Sequence, residues 1–176
     1  MKRKLGLLVV IFSCFLFGCA SEPPQIKYYL LPYQSLEQTT SNIQLEINVA
    51  EYLKQDSLVI ENEQSELTFA HYHRWAEPLE LLIHRYMSKQ LLKQLTVPQR
   101  LDKTKLIIEI ERLYGSVNGK VYLSGYWWIE KHQTDGIERH YFNFQQPQLE
   151  AGYRSFVDST ADLLTRLASQ VNHELN

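Results

Sequence analysis

Cys19 stands where its thiol can be turned into a membrane anchor. The residues Leu16-Phe17-Gly18-Cys19 read aliphatic, any, small, Cys, the pattern of a bacterial lipobox. In that chemistry the thiol takes a diacylglycerol group, the bond after Gly18 is cut, and the freed amino group of Cys19 receives a further acyl chain. What precedes it fits. Met1-Lys2-Arg3-Lys4 is a basic start, and Leu5 to Phe17 is an apolar run broken only by Gly6 and Ser13. That run falls short of the roughly 20 residues a spanning helix needs, but it suits the core of a secretory signal peptide. The same shortness disfavours an uncleaved anchor with Cys19 as a bare membrane-facing thiol. A second frame, Ile11-Phe12-Ser13-Cys14, leaves too little hydrophobic core ahead of it. Phe17 departs from the small residue usual at its position. Expected boundaries are therefore a signal peptide at 1–18, a lipidated N-terminus and tether at 19–26, and one domain at 27–176.

Other chemistry-bearing residues are sparse. His71-Tyr72-His73 can put two imidazoles on one side of a strand, yet no third ligand follows at a recognisable spacing, and the direction of His84 is open. No metal is expected. There is no G-x-S-x-G elbow, no Gly-rich phosphate loop and no H-E-x-x-H. Glu109 and Glu111 alternate along a strand, where a solvated face is the simpler reading. No catalytic residues, no enzymatic activity and no bound cofactor other than the acyl groups on Cys19 are expected.

Aromatic residues carry the remaining signal. Tyr122, Tyr126, Trp127 and Trp128 lie on one expected strand, and Tyr141, Phe142 and Phe144 on the next. Side chains alternate along a strand, so Tyr126 and Trp128 share one face and Trp127 points to the other. Part of this cluster must be core. Helices on one side of a sheet leave the other side uncovered, and aromatics there form a patch of the kind that meets a partner. Tyr126, Trp127 and Trp128 are the candidate contacts.

The elements that must position these residues follow from periodicity. Ser21-Glu22-Pro23-Pro24-Gln25 is a short, Pro-rich tether. Strands are expected at Tyr28–Pro32, at 43–49, where Ile43, Leu45, Ile47 and Val49 alternate with polar residues, and at Leu58–Ile60 and Leu67–Phe69. Glu77-Pro78 opens a helix whose stripe is Leu79, Leu82, Ile83, Tyr86, Met87 and Leu91, stopped at Val97-Pro98. Lys105–Glu111, Val121–Ile129 and Ile137–Gln145 form an antiparallel meander, turned at Asn118-Gly119 and at Thr134-Asp135-Gly136. A final helix spans about Ser155 to Leu175, with Ser155 and Asp158 as a capping box and Val157, Ala161, Leu164, Leu167, Ala168 and Val171 facing inward. The expected class is α+β: a mixed, largely antiparallel sheet with two amphipathic helices packed on it.

Composition bounds the partners. Loss of residues 1–18 takes away Lys2, Arg3 and Lys4 and moves the formal net charge from −2 to −5. Nucleic acid is excluded, because its phosphates need a basic footprint. Attachment to anionic lipid by overall charge is disfavoured too. With Cys14 removed and Cys19 acylated, no disulfide is available, so the domain rests on its core alone.

The lipobox, the Tyr28-Tyr29-Leu30-Leu31-Pro32 opening and the segment Trp75-Ala76-Glu77-Pro78-Leu79 leading into a helix, with Arg85 beyond it, together resemble the ABC-transport auxiliary lipoproteins of the PqiC/YmbA type. The resemblance spans the mature chain. It implies a non-enzymatic lipoprotein anchored to the outer membrane with its domain in the periplasm, and Ala20 after the lipidated cysteine agrees with that address. It further implies a PqiB-like, MCE-domain tunnel protein as partner, a homo-oligomer, and a part in intermembrane lipid transport that supports envelope integrity. A structural or chaperone-like envelope lipoprotein without a tunnel partner is the alternative; a periplasmic hydrolase, lacking a nucleophile motif, stands behind it.

Overall fold

The computed structural model describes residues 23–32, 44–94, 105–130 and 137–175. Within them lie β1 (Lys27–Tyr29), β2 (Gln44–Val49), a 3-10 turn (Glu51–Lys54), β3 (Ser57–Glu61), β4 (Leu67–Trp75), α1 (Leu79–Gln94), β5 (Lys105–Ser116), β6 (Lys120–Glu130), β7 (His140–Pro147) and α2 (Tyr153–Leu175). The expected signal peptide, the stop at Val97-Pro98 and the turn at Thr134–Gly136 lie outside the described residues.

The seven strands form one mixed sheet in the order β1-β4-β3-β5-β6-β7, with β2 also paired to β5. The meander β5-β6-β7 is antiparallel as the alternation indicated. Parallel pairing dominates elsewhere: β1 on β4, β2 on β5 and β3 on β5. Long β5 makes this possible. Its first half, 105–110, pairs with β2, and its end, Gly115 and Ser116, pairs with β3. Since β6 occupies the other edge of β5, β2 and β3 lie end to end along one edge, joined by the 3-10 turn with Leu53 buried.

A bulge between Ile110 and Arg112 bends β5 where Ile110 faces Gly125. A Cβ on Gly125 would sit 1.9 Å from the carbonyl oxygen of Glu109, so only glycine fits. Just beyond, the Leu113 amide donates to the Tyr52 phenol oxygen at 3.2 Å. The hairpin to β6 closes through Gly119, which donates its amide to Ser116 and holds a φ of +70°.

Both helices lie on one face of the sheet. The Pro78 carbonyl accepts the first helical bonds, from the Leu81 and Leu82 amides, and the whole expected stripe of α1 is buried. Helix α2 buries its expected stripe plus Phe156 and Leu163. They meet Leu45, Ile47 and Val49 of β2, Leu106, Ile108 and Ile110 of β5, and Val121, Leu123 and Trp127 of β6 in one core. Helix α2 begins earlier than expected. Its first amide bond runs from Phe156 to the Gly152 carbonyl, and Gly152 sits at a φ of +115°. The capping box does not form: Ser155 Oγ accepts from the Glu150 amide, and Asp158 pairs with Arg154 at 3.0 Å. Strand β4 also runs further than expected, to Trp75, because its polar middle, His71 to Arg74, lies near the sheet edge, where period-two burial is weak.

Candidate functional site

The face of the sheet turned away from the helices carries the first candidate surface. Cross-strand register places Ile107 beside Trp128 and Glu109 beside Tyr126 on that face, with Tyr126 in turn beside Tyr141. The Tyr126 and Tyr141 rings stand 5.2 Å apart, and Tyr141 is exposed. Arg139 lies over the Trp128 ring, 4.4 Å from its centroid, and pairs with Glu109 at 3.8 Å. This cover leaves Trp128 only 8% exposed. At one end of the patch Lys105 pairs with Glu46 at 2.7 Å and with Glu130 at 3.8 Å. Hydrogen bonds from Lys105 and Asn48 hold the Glu46 carboxyl below its ordinary range. At the other end Tyr114 packs on Tyr122, and burial, with Glu61 nearby, pushes the Tyr114 phenol up.

The three expected contact residues therefore separate. Tyr126 and Trp128 are on the patch. Trp127 is not: it is 1% exposed, stacked on His140 at 4.1 Å within the core, and has no surface to offer a partner. Tyr141 and Arg139 complete the patch. Tyr141 was legible as the residue alternating with Phe142, whereas Arg139 had no signal of its own.

The histidines do not converge. His73 sits against the Tyr29 hydroxyl at 2.8 Å and stacks on Tyr153 at 3.7 Å, while His71 and His84 are exposed. Burial, then the charge of Lys27, pulls the His73 pKa below its ordinary value. Among the described residues no three metal-ligating side chains gather, and no helix is long and apolar enough to cross a membrane.

A second surface lies where the tether enters the domain. Leu30, Leu31 and Pro32, following β1, close one wall of a cavity of about 350 Å³ whose other walls are α1 and Arg154 of α2. Its lining comes from three stretches distant in sequence, Leu30–Pro32, Glu77–Lys89 and Arg154, so no local motif announced it. Leu82 and Tyr86 are its buried floor. The Tyr86 hydroxyl is fixed to Thr165 Oγ1 at 2.9 Å, which ties α1 to α2 beneath the cavity.

A two-layer α+β domain, one mixed sheet with both helices packed on it, defines the fold class. The family is set by residues 29–172, which match the model for the ABC-type transport auxiliary lipoprotein component, and the chain belongs to that family. It is thus an auxiliary component of an ABC-type transport system, and the family's description suggests a subunit rather than an enzyme. Cys19 stands ahead of the matched residues. Two solved structures share the fold. An uncharacterized protein matches at 20% identity and a TM-score of 0.73, over 86% of this chain and 99% of its own. A Xanthomonas campestris protein of the DUF330 family matches at 13% identity and 0.58, over 84% and 90%. Among curated proteins none matches the sequence.

Proposed function

We propose that this chain is an outer-membrane-anchored periplasmic lipoprotein and a non-enzymatic subunit of an MCE-type intermembrane lipid transport system, contributing to envelope integrity. Signal peptide 1–18 is removed after Gly18, Cys19 carries the diacylglycerol and N-acyl chains, residues 19–26 form the tether, and 27–176 form the periplasmic domain. The observation that carries the reading is the family match over 29–172 behind a lipobox in the correct place. The domain's part is to dock a PqiB-like tunnel protein, and the Tyr126–Trp128–Tyr141 patch is the surface for that contact. The chain works as a homo-oligomer. In support, β1 and β7 end the sheet at opposite sides, which gives each subunit two different edges, as a head-to-tail ring requires.

Co-purification from detergent-solubilised envelopes tests this. The MCE-domain protein should be recovered with the lipoprotein. Recovery of the lipoprotein alone under mild detergent overturns the tunnel reading and favours a structural or chaperone role. For the anchor, Cys19→Ala should accumulate as unprocessed, unacylated precursor; a cleaved, membrane-bound variant would refute the lipobox.

A further inference from the structure

We propose that an uncharged apolar row on β1 and β4, on the face of the sheet away from the helices, seats in the surface of the bilayer that holds the anchor. The row is Ile26, Tyr28 and Leu30 beside Tyr72, which are 43%, 61%, 52% and 47% exposed. Tyr29 and Leu31, which alternate with them, pack on the core. The β1–β4 register sets Tyr28 beside Arg74, and Tyr72, two residues back along β4, shares their side. The opposite side of the same pair carries Trp75, which meets Phe156 of α2 in the core.

The proposal rests on acylation of Cys19, which fixes where this row can be. From Cys19 to Ile26 the chain has seven residues, a reach of at most about 25 Å. The sheet is about as wide, five strand spacings of about 4.8 Å from β1 to β7. So β1 stays beside the bilayer, while β7 can stand a sheet's width away. No carboxylate stands in the row. Arg74, the charged residue beside it, pairs with Asp56 at 3.1 Å, and Lys27 alternates to the other face, opposite His73. A chain of negative net charge thus meets lipid through groups without unbalanced charge, and the contact needs no anionic headgroup. Tyrosine suits this depth, with a ring for the acyl boundary and a hydroxyl for the water side. Ile26 and Leu30 add side chains that gain by leaving water.

The aromatic patch at the far edge does not share the seat. Neighbouring strands are rotated by about 20–25°, so over the five steps from β1 to β7 the face turns by about 100° or more. With the β1 end laid on the bilayer, Tyr141 looks sideways along the membrane plane. That leaves its patch free for the docking partner.

With Cys14 removed and Cys19 acylated, one introduced cysteine can carry a nitrobenzoxadiazole fluorophore without competition. The acylated full chain is reconstituted in phosphatidylcholine vesicles with the label at Tyr28→Cys, Tyr72→Cys or Tyr141→Cys. Nitroxide groups on the lipid chains should quench the label at 28 and 72 and leave the label at 141 bright. The triple variant Ile26→Ser, Tyr28→Ser and Leu30→Ser, labelled at 72, should lower the ratio of seated to free domain by about ten-fold or more. It should still float with the vesicles and keep the parent's urea midpoint, since all three side chains are exposed. Labels at 28 and 72 that stay bright, equal quenching at 141, or quenching unchanged in the triple variant overturn the seat. Quenching that appears only when phosphatidylglycerol is added traces the contact to charge and overturns it as well. A blue-shifted, unquenched label whose shift grows with protein density gives the row to a second copy of the chain instead. A chain that fails to float refutes the anchor, whereas lost quenching in a chain that floats refutes the seat alone.

Discussion

Trp127 and Trp128 are neighbours in sequence with the same side chain, yet they lie on opposite faces of one sheet. Trp127 is enclosed by the two helices and stacked on His140; Trp128 is covered by Ile107 and the Arg139 guanidinium. Their exposures, 1% and 8%, are close, but the materials that bury them differ. A helix layer of Leu, Ile and Val is part of the fold. An exposed arginine laid over a ring is removable, and a partner can replace it. Low exposure alone does not separate core from contact surface; what does the covering separates them.

The sharpest way to break this contrast is Trp127→Ala. It should destabilise the domain by about 3–5 kcal/mol in urea denaturation, since the helices hold the cavity open. A cost below about 1 kcal/mol would show that the covered face is loosely packed. Gly125→Ala should follow at about 1–3 kcal/mol, because the new methyl meets the Glu109 carbonyl and must push β5 from β6. On the other face Arg139→Ala should cost about 0.5–1 kcal/mol, the scale of a cation–π contact at an exposed site; its clearer readout is increased quenching of Trp128 by a soluble quencher. Tyr141→Ala should change stability by less than about 0.5 kcal/mol, while weakening capture of the docking partner by ten-fold or more if the patch is the contact surface. A normal capture would remove Tyr141 from that surface.

The smallest effect concerns the edge of the covered face, at His73. Tyr29 and Tyr153 pack against this imidazole and Lys27 faces it across the β1–β4 pair. Its pKa is lowered in the folded chain, so on acidification the unfolded chain takes up the proton first. The stability it contributes is complete above its ordinary value of about 6.5 and declines as pH falls through that range. His73→Gln should flatten the slope of stability between pH 7 and 5. An unchanged slope would place the acid sensitivity elsewhere.

The faces of β5, β6 and β7 were legible because each strand has one side under helices, and period-two alternation records that side directly. The helix stripes were legible for the same reason. Where both sides of an element see similar surroundings the record fades: β4 runs to Trp75 through a polar stretch near the sheet edge that alternation could not mark. Helix α2 starts on Gly152, and Ser155 turned back to Glu150, because a capping pattern states only that a hydroxyl can bond an amide, not which one. Parity put Tyr126 and Trp128 on one face of β6 and Trp127 on the other, where the register has them, and it already set Trp127 apart as a residue with no surface for a contact. The tether cavity was illegible because Leu31, Arg85 and Arg154 come together only when β1 pairs with β4 and α2 packs beside α1.

The end-to-end placement of β2 and β3 along β5 has a consequence in time. Leu45 must find Leu106 and Tyr28 must find Arg74 across long stretches of intervening chain, in parallel register, before either pairing is rewarded. Such distant pairings raise contact order and slow folding. For a polypeptide that, on the reading proposed, threads an export channel extended and gains its acyl chains on the far side, a sluggish start is useful. The sheet can close only after β5 has emerged, by which point the N-terminus is already through.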